Sequence, residues 1–459
     1  MSAGLGGLGT LMLLLGVRDR FWPETPEAAP MTGDVNIAVA EFGSIGTDGN
    51  ITVTRESSDL AASAFETLER ELSSLETDPA AGLDIIDFEV QPPDVTGPVD
   101  GGTRGERAAH AERIGERTAA DIVLYAIVEE AASETSLRPE FFLTDRKLEL
   151  DPEVLVGDYR FGAPLVQQAA ISANPTARSQ LRAGLIDRTN GLVQLVVGLF
   201  FFGAGEYGTA NEVFGDIQRA ALLPADGGLE IVHLFRGNAA GREGDVELAA
   251  SEYESALEIN PEFARAQIGL AETVFQRSHK RCEPDSIDVA GVRRALNMYR
   301  GALDAEDRPA RSNVDVKVAF GVGRAQLCLS TAQVESSWAE ARAELDSVVD
   351  AYDAGNTAVT ELAAEALSSL GLLEIQAGGD GEASLERAVA DLNRAIEISA
   401  DPGRRAAWYG YLGYAHCLLG HAAKALEAYD MGLDSTTDEP TRQTLLDGRE
   451  RAAAESSGC

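Results

Sequence analysis

The chain has 459 residues, 44% of them hydrophobic, which is material for two domains with proper cores and excludes a chain disordered throughout. Its 75 acidic and 38 basic residues give a formal net charge of −37, a field that repels nucleic acid and speaks against nucleic-acid binding as a function. Four cysteines are too few for a disulfide framework, and no CxxC pair marks a zinc site. Only Lys147, Lys280, Lys317 and Lys424 are lysines, an arginine bias that a GC-rich genome and a salt-adapted surface explain equally well.

Residues 1–20 form an apolar N-terminal segment, uncharged from 2 to 17 and including Leu11, Met12, Leu13, Leu14 and Leu15. It is slightly shorter than the ~20 residues that span a bilayer, has no basic region before it, and reads as a minimal membrane anchor rather than a cleaved signal peptide. Arg18 and Arg20 follow, then Phe21, Trp22 and Pro23 as an interfacial edge to a linker over 21–33. A small α/β domain is expected over 34–170. Val35–Phe42 (VNIAVAEF), Leu83–Val90 (LDIIDFEV) and Asp121–Val128 (DIVLYAIV) read as buried strands, with helices over 57–76 and 104–119 between them. That alternation argues for parallel pairing through helical crossovers, and 137–144 and 156–166 read as later strands of the same sheet.

From about residue 187 the strand signal ends and helix pairs recur with a period of about 34 residues. In 230–263, Gly237, Ala249, Tyr253, Ala256 and Pro261 stand at fixed offsets. The offsets return as Gly198, Gly205, Tyr207, Ala210, Phe214 and Pro224, and again as Leu412, Gly413, Gly420, Ala425 and Tyr429. Stretched copies begin near Ala264, Val316 and Ala364. This pattern closely resembles the tetratricopeptide repeat, in which small residues let two helices approach and an aromatic fills the gap toward the next repeat. The resemblance implies an all-α solenoid of six helix pairs over 187–438, followed over 439–459 by a polar capping helix and tail. More loosely, 34–170 resembles the small α/β domain of periplasmic Tol-type proteins. The whole arrangement resembles bacterial membrane-associated repeat proteins.

No P-loop, nucleophile elbow, HExxH or EF-hand pattern is present. Gly43, Gly46 and Gly49 make a glycine run after a strand, but Ile51, Thr52 and Val53 follow it instead of a helix start, so it reads as an ordinary loop. His279 and Cys282 stand as HxxC without a second pair and read as an insertion loop. No catalytic residue, cofactor or metal is therefore expected.

What remains is the inner surface that the resemblance implies. Its groove offsets fall on Asn238, Arg242, Arg265, Glu272, Gln276, Lys317, Arg324, Tyr411 and Tyr414. Four of these are basic in a strongly acidic chain, which suggests a groove for carboxylates; the alternative is that these cations pair with Glu and Asp of adjacent helices. The repeat register also brings Cys282 and Cys328 to one level of neighbouring first helices and predicts a disulfide between them, leaving Cys417 a buried thiol. The reading is a non-enzymatic, membrane-anchored scaffold, its body outside the cytoplasm, that binds a protein or peptide segment bearing acidic groups. The alternatives are a ligand-sensing α/β domain with an assembling solenoid, a catalytic α/β domain of unrecognised chemistry, and a cytoplasmic location.

Overall fold

A computed structural model describes residues 29–46, 51–77, 83, 86–146, 152–279, 282, 286–334, 337–377 and 381–454. The apolar segment 2–17 and the greater part of the linker lie outside these residues. The chain divides into two compact units, one of residues up to 149 with 156–232, the other of Leu150–Leu155 with His233–Cys459.

The first unit opens with β1 (Val35–Val39), β2 (Gly43–Ile45), β3 (Ile51–Thr52) and helix α1 (Arg55–Thr77). Strand β4 (Phe88–Gln91), the short α2 (Pro93–Thr96) and α3 (Arg104–Thr118) come next. A capping box starts α3: the Thr103 hydroxyl accepts from the Glu106 N–H, and the Glu106 carboxylate accepts from the Thr103 N–H. Strands β5 (Ile122–Ala131) and β6 (Glu134–Leu143) complete the long ladder. After a one-turn helix α4 (Pro152–Leu155), which belongs to the second unit, come β7 (Gly157–Arg160) and β8 (Leu165–Gln167).

The expected parallel pairing is present where a helix makes the crossover: β1 lies between β4 and β5, parallel to both, and β2 continues parallel along β5. Beyond β5 the sheet is antiparallel, because only two residues separate β5 from β6, and β7 and β8 then share the far edge of β6. Alternation sorts the faces: Ala38, Val123, Tyr125 and Phe142 pack with Ala108, Ala111 and Ile114 of α3. The helix α1 buries Leu60, Ala64, Leu68 and Leu72 at helical spacing and packs on β1, β4 and β5.

The helical array begins with α5 (Pro175–Gly203), earlier than the sequence pattern suggests, because Asn174 caps it by accepting from the Thr176 and Ala177 amides ahead of a proline at the first position. This helix is long and apolar enough to cross a membrane, yet two thirds of its most apolar stretch (67%) is buried, as in a core helix. It pairs with α6 (Tyr207–Arg219) and packs against α1, so the first hairpin belongs to the sheet unit.

Five hairpins follow: α7 (Leu229–Glu243) with α8 (Val246–Ile259), α9 (Ala264–Arg277) with α10 (Val289–Asp304), and α11 (Val314–Thr331) with α12 (Trp338–Asp353). Then come α13 (Thr360–Ala377) with α14 (Glu382–Ile398), and α15 (Pro402–Leu418) with α16 (Ala422–Asp434). A last helix, α17 (Glu439–Ala454), packs on α15 and α16. Among the described residues no strand interrupts the array.

The recurring glycines have a steric cause. A Cβ on Gly237 would stand 2.7 Å from the Tyr253 ring, and one on Gly269, in the next first helix, 2.5 Å from the same ring. Tyr299 against Gly321 and Tyr429 against Gly413 repeat the arrangement. Each ring on a second helix thus sits where a first helix has no side chain, and the backbones close around it. Gly244 and Gly420, with φ of +84° and +75°, make the tight turns inside two hairpins, a conformation that costs other residues strain.

Candidate functional site

The site residues proposed from the repeat offsets sit on the first helices of the second unit, and the structure gives most of them partners inside the chain. Arg324 on α11 donates from Nη2 to both carboxylate oxygens of Glu272 on α9, at 2.8 and 2.6 Å, and its guanidinium lies over the rings of Phe275 and Phe320. The hydroxyl of Tyr299 donates to the same carboxylate at 2.6 Å, and Gln276 donates at 3.4 Å. Burial by itself would raise the Glu272 pKa, but the charges of Arg324 and Lys317 and these hydrogen bonds outweigh it and bring it down to about 2. Arg324 is correspondingly raised by Glu272, against the effect of burial.

Arg265 is 1% exposed, and its Nε donates to the Val154 carbonyl at 2.6 Å. Lys317 pairs with the Glu153 carboxylate at 2.9 Å. Both partners belong to α4, a segment more than 100 positions earlier in the chain and grouped with the helical unit. The remaining offsets are less alike. Asn238 accepts from the Tyr253 hydroxyl at 2.6 Å, Arg242 is half-buried, Tyr411 packs against the core under α13 and α15, and Tyr414 is 44% exposed. The structure therefore brings Arg265, Glu272, Gln276, Lys317 and Arg324 together on α9 and α11, and holds Asn238, Arg242, Tyr411 and Tyr414 on other helices.

This pairing is general in the unit. Glu252 on α8 is held by His233 and Arg236 of α7, each at 2.7 Å, and Glu374 on α13 by Arg342 and Arg387. Two of the four groove cations, Lys317 and Arg324, thus pair with carboxylates of the chain, as the alternative left open by the sequence has it. At the end of α9, Cys282 and Cys328 form a disulfide with Cα atoms 4.9 Å apart, linking the loop after α9 to α11. The His279 imidazole stands beside the bridge, but both sulfurs are committed to it. Burial first, and then Arg324, lower the His279 pKa, so the ring is neutral near pH 7. Cys417 is buried as expected but is itself disulfide-bonded, which corrects the expectation of a free thiol there.

The first unit carries a charged cluster that sequence reasoning missed. Arg107 of α3 makes a two-pronged pair with Glu140 of β6, at 2.9 and 2.6 Å, and Arg104 pairs with Asp158 of β7. Glu140 and Asp158 are 4% and 1% exposed, and the buried Tyr125 hydroxyl nearby has no hydrogen-bond partner. Burial, then Glu140 and Asp158, raise that phenol well above its ordinary pKa. The available signal was Glu140 directly before the apolar run Phe141, Phe142 and Leu143, since a carboxylate buried with such a run needs a cation. The same unit has a cavity of about 160 Å³ lined mainly by Val35, Ile122, Leu143, Val196, Leu199 and Phe200.

No family model matches the chain, and no curated protein matches it. Solved structures similar to it include YrrB, described as a TPR protein with an unusual peptide-binding site, at 18% identity over 48% of this chain and 92% of that one, with a TM-score of 0.31. PilW, described as a widely conserved type IV pilus biogenesis factor, is similar at 15% identity over 56% and 98%, with a TM-score of 0.40. A tetratricopeptide repeat protein from Parabacteroides merdae is similar at 11% identity over 61% and 94%, with a TM-score of 0.40. The likeness is one of helical-repeat architecture alone.

Proposed function

We propose that this protein is a non-enzymatic interaction scaffold whose first-helix face, around α9 and α11, receives a protein or peptide segment bearing an acidic group. The observation that carries the reading is Lys317 and Arg265 holding the acidic one-turn segment α4 at positions where the repeat resemblance places ligand contacts. Membrane attachment through residues 2–17, with the body outside the cytoplasm, belongs to the same reading. The Cys282–Cys328 bridge supports an oxidising compartment, and the Tol-type resemblance points the same way. A photo-crosslinker placed at Gln276, exposed on α9, in cells that make the protein tests it. One reproducible partner, absent when the label sits at exposed Arg294 on a second helix, is the expected outcome; indistinguishable patterns from the two positions would reject the reading.

A second reading has its own observation. The apolar cavity of the first unit suits a small hydrophobic molecule, and medium-chain fatty acids that raise the melting temperature of the protein would support a ligand-sensing role.

A further inference from the structure

The segment α4 has features of a ligand. It leaves the chain between β6 and β7 in sequence, yet it packs within the helical unit against α11 and the 3₁₀ turn Thr357–Val359 that leads into α13. Its three described side chains are all buried: Glu153 and Val154 at 6% and 7% exposed, Leu155 at 0%. Recognition uses both backbone and side chain. The Val154 carbonyl accepts from Arg265, the Glu153 carbonyl accepts from the Asn313 amide at 3.2 Å, and the Glu153 carboxylate is paired with Lys317. Asn313 is in turn fixed by the Asn356 side-chain amide, which donates to its Oδ1 at 2.6 Å.

These contacts fall on the starts of successive first helices, α9 and α11, and on the turn before α13. The carboxylate lies near the start of α11, where the helix dipole and unpaired amides favour an anion. A segment that served stability alone would gain more from aliphatic packing than from burying a Lys–Glu pair, whose desolvation offsets much of its attraction. What such a pair does provide is selectivity, because a segment without the acid gives up the ion pair with the half-buried Lys317.

We propose that α4 is an internal occupant of the scaffold's binding site, and that the external partner displaces it with a short turn of the same chemistry: an acidic residue followed directly by two aliphatic residues. This rests on the scaffold reading and specifies its ligand. The tethered segment competes at an effective concentration on the order of millimolar, so the resting protein binds an equivalent free peptide weakly.

The probe is a fluorescein-labelled synthetic peptide of residues 150–157 (LDPEVLVG), titrated against the full chain by fluorescence anisotropy. In the variant Glu153→Arg with Leu155→Ser the internal segment is unseated, and the peptide is expected to bind at least ten-fold more tightly than to the wild type. Adding Lys317→Glu should abolish the gain, and a peptide with lysine in place of its glutamate should recover part of it. A folded, unseated variant that binds no better than the wild type would overturn the proposal. Should that variant fail to fold, the wild type with millimolar peptide is followed by hydrogen exchange: faster exchange at 153–156 supports displacement, and unchanged exchange there refutes it. A partner crosslinked at Gln276 that the peptide cannot displace would sink this inference and leave the scaffold standing. Peptide binding to the unseated variant with no specific crosslinked partner would support α4 as occupant of the site and reject its displacement by an external partner.

Discussion

Replacing Glu272 by glutamine removes the charge at the centre of the α9–α11 contact while keeping its shape. In the folded protein this carboxyl titrates at about 2 against an ordinary 4.5. At ~1.4 kcal/mol for each tenfold change that difference corresponds to about 3 kcal/mol, an upper figure because the side chain is about a quarter exposed. The variant also leaves Arg324, stacked between Phe275 and Phe320, without its counter-ion. A group whose folded pKa is depressed contributes stability above its unfolded pKa and loses it as pH falls through the folded value. Urea denaturation of wild type and Glu272→Gln should therefore show a gap of about 3 kcal/mol at pH 7, little changed at pH 5.5, and shrinking between pH 4.5 and 2. Equal stability at pH 7, or a gap that stays constant down to pH 3, would refute the electrostatic account of this contact.

The opposite sign is expected at Asp391, where burial, then Glu374, lift the pKa to about 6: Asp391→Asn should stabilise the protein by up to about 3 kcal/mol at pH 7–8 and have no effect below pH 4, as read from urea midpoints at each pH. Gly269→Ala should destabilise by about 1–3 kcal/mol by crowding Tyr253, despite the roughly 1 kcal/mol that alanine gains in a helix, and a net rise in thermal midpoint would contradict the ring's seat. Arg107→Met should cost about 3–5 kcal/mol by stranding Glu140 in the sheet unit, whereas a change below 1 kcal/mol would mean that the pair is hydrated. Cys328→Ser should cost about 4 kcal/mol on the chain-entropy estimate for a separation of 46 residues, and an oxidised wild type whose thiols at 282 and 328 both alkylate would refute the bridge.

The helical array was legible because its determinant is local and steric: a ring such as Tyr253 demands a missing side chain at Gly237 and Gly269, and that demand repeats along the sequence. The parallel centre of the sheet was legible for a similar reason, since strand and helix periods alternate through residue 128. The charges were not. Arg104 and Arg107 look like the wet face of a helix until Glu140 and Asp158 are seen beneath them, and Glu272 was grouped with the groove's cations when it is Arg324's counter-ion. Pairing across 33 or 52 positions leaves no periodic trace. The segment α4 was the least visible: four residues without a motif, whose role comes entirely from what lies opposite them in space.

On the scaffold reading proposed above, the face around Lys317 selects an acidic partner. Once a partner has been captured through Gln276, the direct measurement is its affinity, by calorimetry, for the wild-type chain, for Lys317→Glu and for Arg294→Glu, a charge reversal at an exposed position on α10. Lys317→Glu should lose at least ten-fold and Arg294→Glu change less than two-fold, with the wild-type affinity falling as salt rises. Equal effects of the two reversals would show that the partner responds to overall charge and not to this site.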